Sequence, residues 1–403
     1  MATQKPTDTL RPALVLAGLL LVAANLRAGI TTVGPVLEDL RRELHLSSSM
    51  ASILISLPLL AFAVISPVTP RLARRLGLEQ SMALALILLA IGLVVRSTPG
   101  LPLLWLGTAL LGAALAILNV TLPALVKRDF PNRIGPITGA YSVAQSIFAA
   151  IAAGIAVPVA AATALGWRLP LGMWAGLTLV ALGVMAPQLR RHTVVTPDED
   201  DVHLDAHSIE DTSPSSPWRS ALGWQVTAFM GLQSFGYYVF ITWLPSIERA
   251  AGISESAAGT HQFLLNAFGI VGSITCSALI HRSNDQRLLA MGAATVFLVA
   301  DIGVLLSPAH TAVWAALAGM GGGATIVLAL SFFGLRTTDH TQAAELSGMA
   351  QCVGYLFAAT GPILVGALHD HTGSWTPAMI LVVVLATILI GIGYLAGRNR
   401  VIA

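Results

Sequence analysis

Charged side chains are scarce in this chain. Only 10% of its 403 residues are Asp, Glu, Lys or Arg, and 55% are hydrophobic, whereas a soluble domain carries roughly 25% charged residues. This shortage excludes an ordinary soluble protein. Cysteine is also rare: Cys276 and Cys352 are the only two, and both lie in apolar stretches. They exclude a disulfide framework, give no metal-site spacing, and are expected to be small core residues.

The motifs of several other protein classes are missing too. No phosphate-binding loop is present, so ATP hydrolysis is not encoded in this chain. The glycine-rich segment 319–324 is not preceded by a strand, and we interpret it as helix packing rather than a dinucleotide loop. There is no HExxH or GxSxG motif, which disfavours an intramembrane enzyme, and no sizeable soluble domain, which disfavours a receptor or sensor. We expect no catalytic residue, cofactor or metal site.

Long apolar runs occupy most of the chain. Each is long enough to cross the hydrocarbon core of a bilayer, which is roughly 30 Å thick. The sequence therefore predicts an all-α membrane protein with twelve transmembrane helices. The predicted spans cover residues 12–36, 49–68, 80–96, 101–123, 135–161, 167–188, 220–244, 257–280, 288–306, 311–333, 343–367 and 375–397.

The distribution of basic residues predicts the orientation of these spans. An even number of spans places both termini on one side of the membrane. If that side is the cytoplasm, sixteen of the 22 Lys and Arg residues lie inside, five lie outside and Arg27 lies within a span. Basic residues favour cytoplasmic loops. We therefore expect a multi-pass protein of the cytoplasmic membrane with both termini in the cytoplasm.

A polar, acidic segment with several prolines and serines divides the chain. Residues 189–218 cannot bury enough apolar area to order themselves, and we interpret them as a cytoplasmic linker. The linker would join an N-terminal half, 12–188, to a C-terminal half, 219–397, with short tails at 1–11 and 398–403. The halves resemble each other at an offset of about 210 residues. Paired halves with a site between them are typical of alternating-access transporters.

Polar side chains near the middle of the spans predict the lining of a cavity. Lipid offers them no hydrogen-bond partner, so they must face protein or water. Several of them are spaced by four residues and share one helix face. The predicted substrate-binding residues are Asn25, Arg27, Thr31, Tyr141, Gln145, Gln233, Tyr237, Asn266, Gln351 and Tyr355.

Arg27 is the only basic residue well inside an apolar run. A guanidinium in hydrocarbon costs roughly 2.5–3.5 kcal/mol on insertion scales unless it is paired or faces water. One interpretation is that it contacts the substrate, because a planar guanidinium suits carboxylates and similar oxyanions. The other is a structural hydrogen bond to backbone carbonyls or to Asn25.

Two residues within spans are candidates for proton coupling. His261 can take up a proton near neutral pH, but it lies close to the outer end of its span, and a water-exposed gate residue is the alternative. Asp301 is the only carboxylate deep in a run. It is either a proton carrier or a partner for polar groups at helix ends. The sequence leaves coupling open, with protons as the candidate ion.

The turn between the second and third spans carries a recognisable motif. Residues 70–77 read Pro-Arg-Leu-Ala-Arg-Arg-Leu-Gly. This resembles the gating motif of the major facilitator superfamily, Gly-x-Leu-Ala-Asp-Arg-x-Gly, and departs from it at Pro70 and Arg74, where Gly and Asp are usual. The resemblance implies gating roles for Arg71, Arg74, Arg75 and Gly77.

Short segments from the first span to the eleventh carry a narrower resemblance. They include Asn25-Leu-Arg27, Val33-Gly-Pro35, Arg128-Asp-Phe-Pro131, Leu232-Gln-Ser234, Thr242-Trp-Leu-Pro245, Gly334-Leu-Arg336 and Leu346-Ser-Gly-Met349. Together they resemble the cyanate porter family, which includes cyanate and 2-nitroimidazole transporters. The resemblance implies the twelve-helix major facilitator fold, in which the ninth span is usually peripheral. Asp301 is therefore not expected to pair with Arg27.

These observations lead to a functional expectation. The protein is expected to be a secondary carrier of a small anionic or planar polar solute, such as cyanate or a carboxylate. Arg27 fits an importer of anions, whereas the Tyr and Gln lining fits an exporter of nitroimidazole or drug-like compounds. The expected partners are this solute, the lipid bilayer and protons as a coupling ion. Nucleic acid is not expected to bind, and we expect a monomer.

Overall fold

The structure is a computed structural model that describes residues 12–46, 48–190 and 216–402. The predicted tail 1–11 and most of the predicted linker lie outside these ranges, so both stay predictions. The described segments are connected α-helices and short 3₁₀ turns. The all-α prediction is therefore confirmed.

Fifteen α-helices are described. They are Pro12–Thr31 (α1), Val33–Leu44 (α2), Ser48–Ile65 (α3), Thr69–Leu76 (α4), Leu78–Ser97 (α5), Leu101–Asp129 (α6), Ile134–Ala161 (α7), Arg168–Gly172 (α8), Trp174–Met185 (α9), Ala221–Ala250 (α10), Glu255–Leu279 (α11), Arg287–Leu306 (α12), Thr311–Leu335 (α13), His340–Thr372 (α14) and Thr376–Ala396 (α15).

Every predicted span falls on one of these helices or on a pair of them. Ten helices of the described chain are long and apolar enough to cross a membrane, and a bent pair, Ile53–Ile65 with Thr69–Leu76, makes eleven. The 61° bend of this pair separates α3 from the short α4. The remaining predicted span is α10, which has 30 residues but contains glutamines, tyrosines and glycines that make it less apolar.

The helices before the predicted linker pack mainly on one another, and so do those after it. Contacts between the two groups involve α7 with α11 and α13, and α14 with α3, α4 and α6. The beginning of α7 meets the end of α11, where Gly139 lies against Ser277. We call this end of the bundle, where α1 begins and α15 ends, the terminal end. The opposite end, where α1 passes into α2, is the far end.

The glycine-rich segment 319–324 lies inside α13 and packs this helix on α11. A side chain added at Gly323 would collide with the carbonyl oxygen of Gly269, and one at Gly319 would collide with that of Leu265. Small residues at such positions let two backbones approach closely in a membrane. The segment is therefore a helix-packing element.

A pair of polar contacts repeats at the terminal end. In the first group, Arg128 at the end of α6 bonds Glu79 at the start of α5, with 2.5 Å between Nη1 and Oε1. In the second, Arg336 after α13 bonds Gln286 before α12 and also donates to the carbonyl of Ala396. Each arginine ties the start of one helix to the end of the next. The correspondence fits the internal repeat predicted from the sequence.

Candidate functional site

A cavity of about 1070 Å³ lies between the two groups of helices. Its wall runs from Arg27 and Tyr355 toward Pro35, Gly154 and Phe263, which lie near the far end of the bundle. At the terminal end the two groups of helices touch. The cavity is therefore on the far-end side of the contacts between the groups.

Arg27 projects from α1 into this cavity and is half-buried. Tyr237 and Tyr238 on α10 and Tyr355 on α14 line the same wall and lie close enough to its guanidinium to interact electrostatically. The ring of Tyr355 also packs on Phe62, with 5.3 Å between centroids. Among the described residues that line the cavity, none is Asp or Glu. The guanidinium thus faces tyrosines of the other group of helices and no acidic wall.

Most of the predicted substrate-binding residues line the cavity. They are Arg27, Thr31, Gln145, Gln233, Tyr237, Asn266 and Tyr355. The hydroxyl of Thr31 donates to the carbonyl of Ala149 at 3.2 Å, which ties α1 to α7. The amide of Gln233 donates to Ser234 Oγ at 2.7 Å. These seven positions are brought together from α1, α7, α10, α11 and α14.

Three predicted substrate-binding residues lie off the cavity wall. The Asn25 amide donates to the carbonyl of Leu21 and accepts from Thr178 Oγ1 at 2.7 Å, so it packs α1 on α9 and is no partner of Arg27. Tyr141 is 1% exposed in the core. Gln351 is fully buried and donates to the carbonyl of Asn119 at 3.0 Å, which joins α14 to α6. All three lie on helices of the predicted spans, but their side chains pack against or bond neighbouring helices and do not line the cavity.

The two proton-coupling candidates have different surroundings. His261 Nδ1 lies 2.6 Å from Oε1 of Glu248, a fully buried residue near the end of α10. Asp301 is also fully buried but does not line the cavity, and in the described chain neither carboxylate oxygen has a hydrogen-bond partner. Of the two, only His261 has a defined partner, and it lies beside the cavity-lining Gln262.

The predicted gating turn forms α4. Nη1 of Arg74 lies 2.5 Å from Oε1 of Glu345 on α14, so an ion pair joins the two groups of helices at the terminal end. Arg74 occupies the position where the motif usually has Asp. The ion pair between the groups therefore has its positive residue on α4 and its carboxylate on α14. Arg71 and Arg75 are exposed. Gly77 separates α4 from α5 with a φ of +87°, a conformation that glycine adopts at no steric cost.

Sequence reasoning missed three residues near the cavity. Tyr238 was passed over because Tyr237 matched the four-residue spacing from Gln233, yet both tyrosines line the wall. Arg96 is one of the five basic residues expected outside the membrane, but it is 1% exposed and is among the cavity-lining residues. Glu248 lies beyond the predicted end of the seventh span, because α10 continues to Ala250. For Arg96 the signal was its position as the last residue of an apolar run.

Comparisons with known proteins decide the family. Residues 19–362 match the family model described as Major Facilitator Superfamily. The chain belongs to the major facilitator superfamily. It is 41% identical to the uncharacterized transporter YycB of Bacillus subtilis (strain 168), over 96% of this chain and 94% of the relative. It is 39% identical to the 2-nitroimidazole transporter of Escherichia coli (strain K12), over 96% of both, and 28% identical to the cyanate transport protein CynX of that organism, over 89% and 90%.

Solved structures of the superfamily share the fold. The proton:xylose symporter XylE, bound to a bromodeoxyglucose, matches with a TM-score of 0.77 over 97% of both chains at 10% identity. The transporter FucP, in its outward conformation, matches with a TM-score of 0.73 at 12% identity, over 97% of this chain and 99% of that one. The resemblance to the cyanate porter branch and the predicted fold are confirmed. The chain is a multi-pass secondary transporter of the major facilitator superfamily, a family of transporters and not of enzymes.

Proposed function

We propose that this transporter moves a small anionic or planar polar solute, such as cyanate or a carboxylate, and that Arg27 holds it. The observation that carries the proposal is the Arg27 guanidinium in the cavity, together with the lack of Asp or Glu among the described lining residues. A cation within a membrane span is costly unless it is paired or faces water, so a counter-charge would stabilise the half-buried guanidinium. A bound carboxylate or similar oxyanion would supply it through two parallel hydrogen bonds.

The tyrosines around Arg27 support the planar shape of the solute. Tyr237, Tyr238 and Tyr355 line the same wall. Their hydroxyls can donate to an anion, and their rings offer flat apolar surfaces. A solute held this way would contact α1 of one half and α10 and α14 of the other.

Contact with both halves would suit alternating access, in which two halves rock around a fixed site. We infer that residues 12–188 and 219–397 are these halves, and that both termini are cytoplasmic in the cytoplasmic membrane, as the basic residues favour. In that orientation the far end faces outward. The cavity would then be open to the outside, with the terminal end closed by Arg74 and Glu345.

Proton coupling belongs to the proposal as well. Between the two candidates, the contacts favour His261 over Asp301, because His261 bonds Glu248 and neighbours the cavity wall. A histidine can exchange a proton near neutral pH. The proposed carrier therefore takes up a proton with the anion.

A second function has its own support. The relative at 39% identity is a 2-nitroimidazole transporter, and Gln145, Gln233 and Asn266 supply amides to the cavity wall. Amides hydrogen-bond a neutral planar solute through both donors and acceptors. Export of nitroimidazole-like compounds is therefore the alternative.

Thermal stabilisation of the purified protein tests the two functions. Cyanate, benzoate and 2-nitroimidazole are each titrated against the wild type, Arg27→Gln and Tyr238→Phe, with Arg249→Gln as the control because Arg249 is an exposed arginine at the far end of α10. We expect an anion to stabilise the wild type, and Arg27→Gln to weaken its binding roughly tenfold to a hundredfold, the worth of a charged hydrogen bond. Tyr238→Phe should weaken binding less.

The pattern across variants separates the outcomes. Equal stabilisation of wild type and Arg27→Gln by the anion would show that Arg27 is not its ligand. Stabilisation by 2-nitroimidazole alone, unchanged in Arg27→Gln, would favour the second function.

A further inference from the structure

The two groups of helices contribute different chemistry to the cavity wall around Arg27. The first group supplies the guanidinium, from α1. The second supplies three tyrosines, Tyr237 and Tyr238 from α10 and Tyr355 from α14. All three lie close enough to the guanidinium to interact with it electrostatically. A solute between the groups therefore meets a cation on one side and aromatic rings on the other.

Contacts with other aromatic rings hold these tyrosines in place. The rings of Tyr237 and Tyr238 meet edge to face, with 5.6 Å between their centroids and 74° between their planes. The ring of Tyr355 packs on Phe62 of α3, with 5.3 Å between centroids. Tyr237 and Tyr238 are half-buried, and Tyr355 is 8% exposed. Each tyrosine thus packs on another ring and still contributes to the cavity wall.

The amides of the second group are less available to a solute than these rings. Nε2 of Gln233 donates to Ser234 Oγ at 2.7 Å and to the carbonyl of Met230 at 3.3 Å, both on its own helix. Gln233 is also only 3% exposed. Nδ2 of Asn266 donates to the carbonyl of Gln262, one turn earlier on α11. These bonds use both N–H groups of Gln233 and one of Asn266, which favours the tyrosines as the groups that recognise the solute.

The geometry of a guanidinium–carboxylate pair sets the direction in which a solute extends. Two parallel N–H···O bonds place the guanidinium and the carboxylate end to end. The carbon that carries the carboxylate then lies on the side away from the arginine. For a carboxylate bonded to Arg27, this direction runs from α1 across the cavity toward the tyrosines. The body of the solute would therefore lie among the three rings.

Tyrosine rings distinguish an aromatic body from an aliphatic one. Aromatic rings in edge-to-face or offset contact gain about two- to tenfold in affinity for each pair, beyond the gain from burial of their area. An aliphatic ring of the same size gains from burial alone. Cyanate is a linear triatomic ion and has no body to place among the rings.

We propose that the solute is an aromatic monocarboxylate, with its carboxylate on Arg27 and its ring among Tyr237, Tyr238 and Tyr355. The inference rests on the proposed function, because it takes the anion on Arg27 as given. It goes further in naming the body of the solute and the helices that hold it. The carboxylate would be bound by the first group and the ring by the second.

The relative affinities of three acids test the ring. Benzoate, cyclohexanecarboxylate and acetate share a carboxylate and differ in the body attached to it. Radiolabelled benzoate is equilibrated with the full-length protein in detergent, and the other two acids compete with it in equilibrium dialysis. We expect the wild type to bind benzoate about tenfold more tightly than cyclohexanecarboxylate, and acetate most weakly. Equal or tighter binding of cyclohexanecarboxylate would overturn the inference, because a merely apolar wall favours the more apolar ring.

Leucine in place of a tyrosine should reduce the preference for benzoate. In Tyr238→Leu we expect the ratio of the two affinities to fall about two- to tenfold, whereas Tyr238→Phe, which keeps the ring, should retain it. Acetate binding that persists in both variants shows that they are folded. Tyr394→Leu is the control, because Tyr394 is exposed on α15 and lies outside the cavity wall. An unchanged ratio in both Tyr238→Leu and Tyr237→Leu would overturn the inference.

The results separate this inference from the proposed function. If Arg27→Gln weakens the binding of all three acids but the wild type shows no preference for benzoate, Arg27 holds an anion and the inference fails. If Arg27→Gln leaves all three affinities unchanged while Tyr238→Leu removes the preference, the proposed role of Arg27 fails and the aromatic class of the solute stands. The wild-type comparison decides the inference even if a leucine variant does not fold.

Discussion

Buried ionisable side chains in this protein differ in the hydrogen-bond partners that surround them. The guanidinium of Arg336 donates to two carbonyls and to the side-chain amide of Gln286. Arg27 lines the cavity, and Nε of the buried Arg96 has no hydrogen-bond partner among the described residues. The carboxylate of Glu248 is bonded by a histidine rather than by a permanently charged arginine. A carboxylate–histidine pair changes its charge when it binds or releases a proton. At the scale of single residues, proton exchange is therefore expected at Glu248 and His261.

The position of this pair also connects it with the cavity. On α10, Ile241 and Pro245 line the wall, and Glu248 lies one turn further on. Other titratable residues on the elements packed nearby are Arg249, Glu255, Asp301, His310, His369, Asp370 and His371. His310 bonds Ser307, and His369 bonds Asp370. Neither of these histidines has a buried carboxylate as its partner.

Replacement of His261 tests the expected proton exchange. In vesicles that contain the purified protein, a pH gradient of one unit should drive about tenfold accumulation of an anion that moves with one proton. His261→Gln should reduce this accumulation toward the external concentration while exchange of labelled for unlabelled anion continues. His310→Gln, a histidine at the same end, is the control. Unchanged accumulation by His261→Gln would show that this histidine carries no coupling proton.

Residue patterns in the sequence located the site only in part. Hydropathy gave the depth of each polar residue in its span, which is enough to find Arg27 and Gln233. It did not give the helix face, because successive residues differ by about 100° around the axis and the neighbours that each face meets are set by tertiary packing. Asn25 and Gln351 therefore turned out to bond other helices.

At the scale of elements, the closest packing in the second group is between α11 and α13. Glycines on both helices remove side chains from the seam, so that the backbone at Gly323 meets the backbone at Gly269. Contact between helices in a membrane relies on such close approach, because lipid supplies no hydrophobic drive between them. The sequence indicated this use of segment 319–324, since a glycine cluster inside an apolar run is typical of close helix packing. It could not indicate which helix would be the partner.

Alanine substitution at two adjacent glycines tests this seam. A Cβ at Gly323 would strike the carbonyl of Gly269, whereas a Cβ at Gly322 would have 3.5 Å to Phe297. We expect Gly323→Ala to destabilise the protein by about 1–3 kcal/mol, as overpacking does, and Gly322→Ala to change little. Melting temperatures in detergent check the difference. Equal melting temperatures for the two variants would mean that α11 and α13 are further apart than described.

At the scale of the whole molecule, polar contacts join the two groups of helices at the terminal end, where the predicted gating turn lies. The ion pair of Arg74 and Glu345 joins α4 to α14, and Ser277 on α11 donates to the carbonyl of Pro136 on α7 at 3.3 Å. The pair is partly exposed, with side-chain exposures of 38% and 29%. Such a pair contributes about 0.2–1 kcal/mol, enough to bias two conformations without locking one.

Charge reversal of this pair should shift the conformational equilibrium. Arg74→Glu places two carboxylates together and is expected to raise the open population of the terminal end by up to about fivefold. This opening is measured as the rate at which the cysteine of the Ser277→Cys variant reacts with a thiol reagent. Cys276 and Cys352 are replaced in all variants, so that only this cysteine is labelled. The double variant Arg74→Glu with Glu345→Arg should restore slow labelling, and Arg75→Glu should leave it unchanged. Fast labelling in the double variant would show that loss of the ion pair is not what opens the terminal end.

The absence of acidic residues from the described cavity wall has an electrical consequence. An empty carrier would hold the positive charge of Arg27 midway across the membrane. A bound monoanion would cancel this charge, and the proton that is proposed to move with the anion would restore it. For a charge that crosses the full field, the effect of voltage is about 2.3 kcal/mol per 100 mV. The membrane potential would thus act equally on the empty and the loaded carrier, and it would change how quickly each reorients without changing how far the anion accumulates.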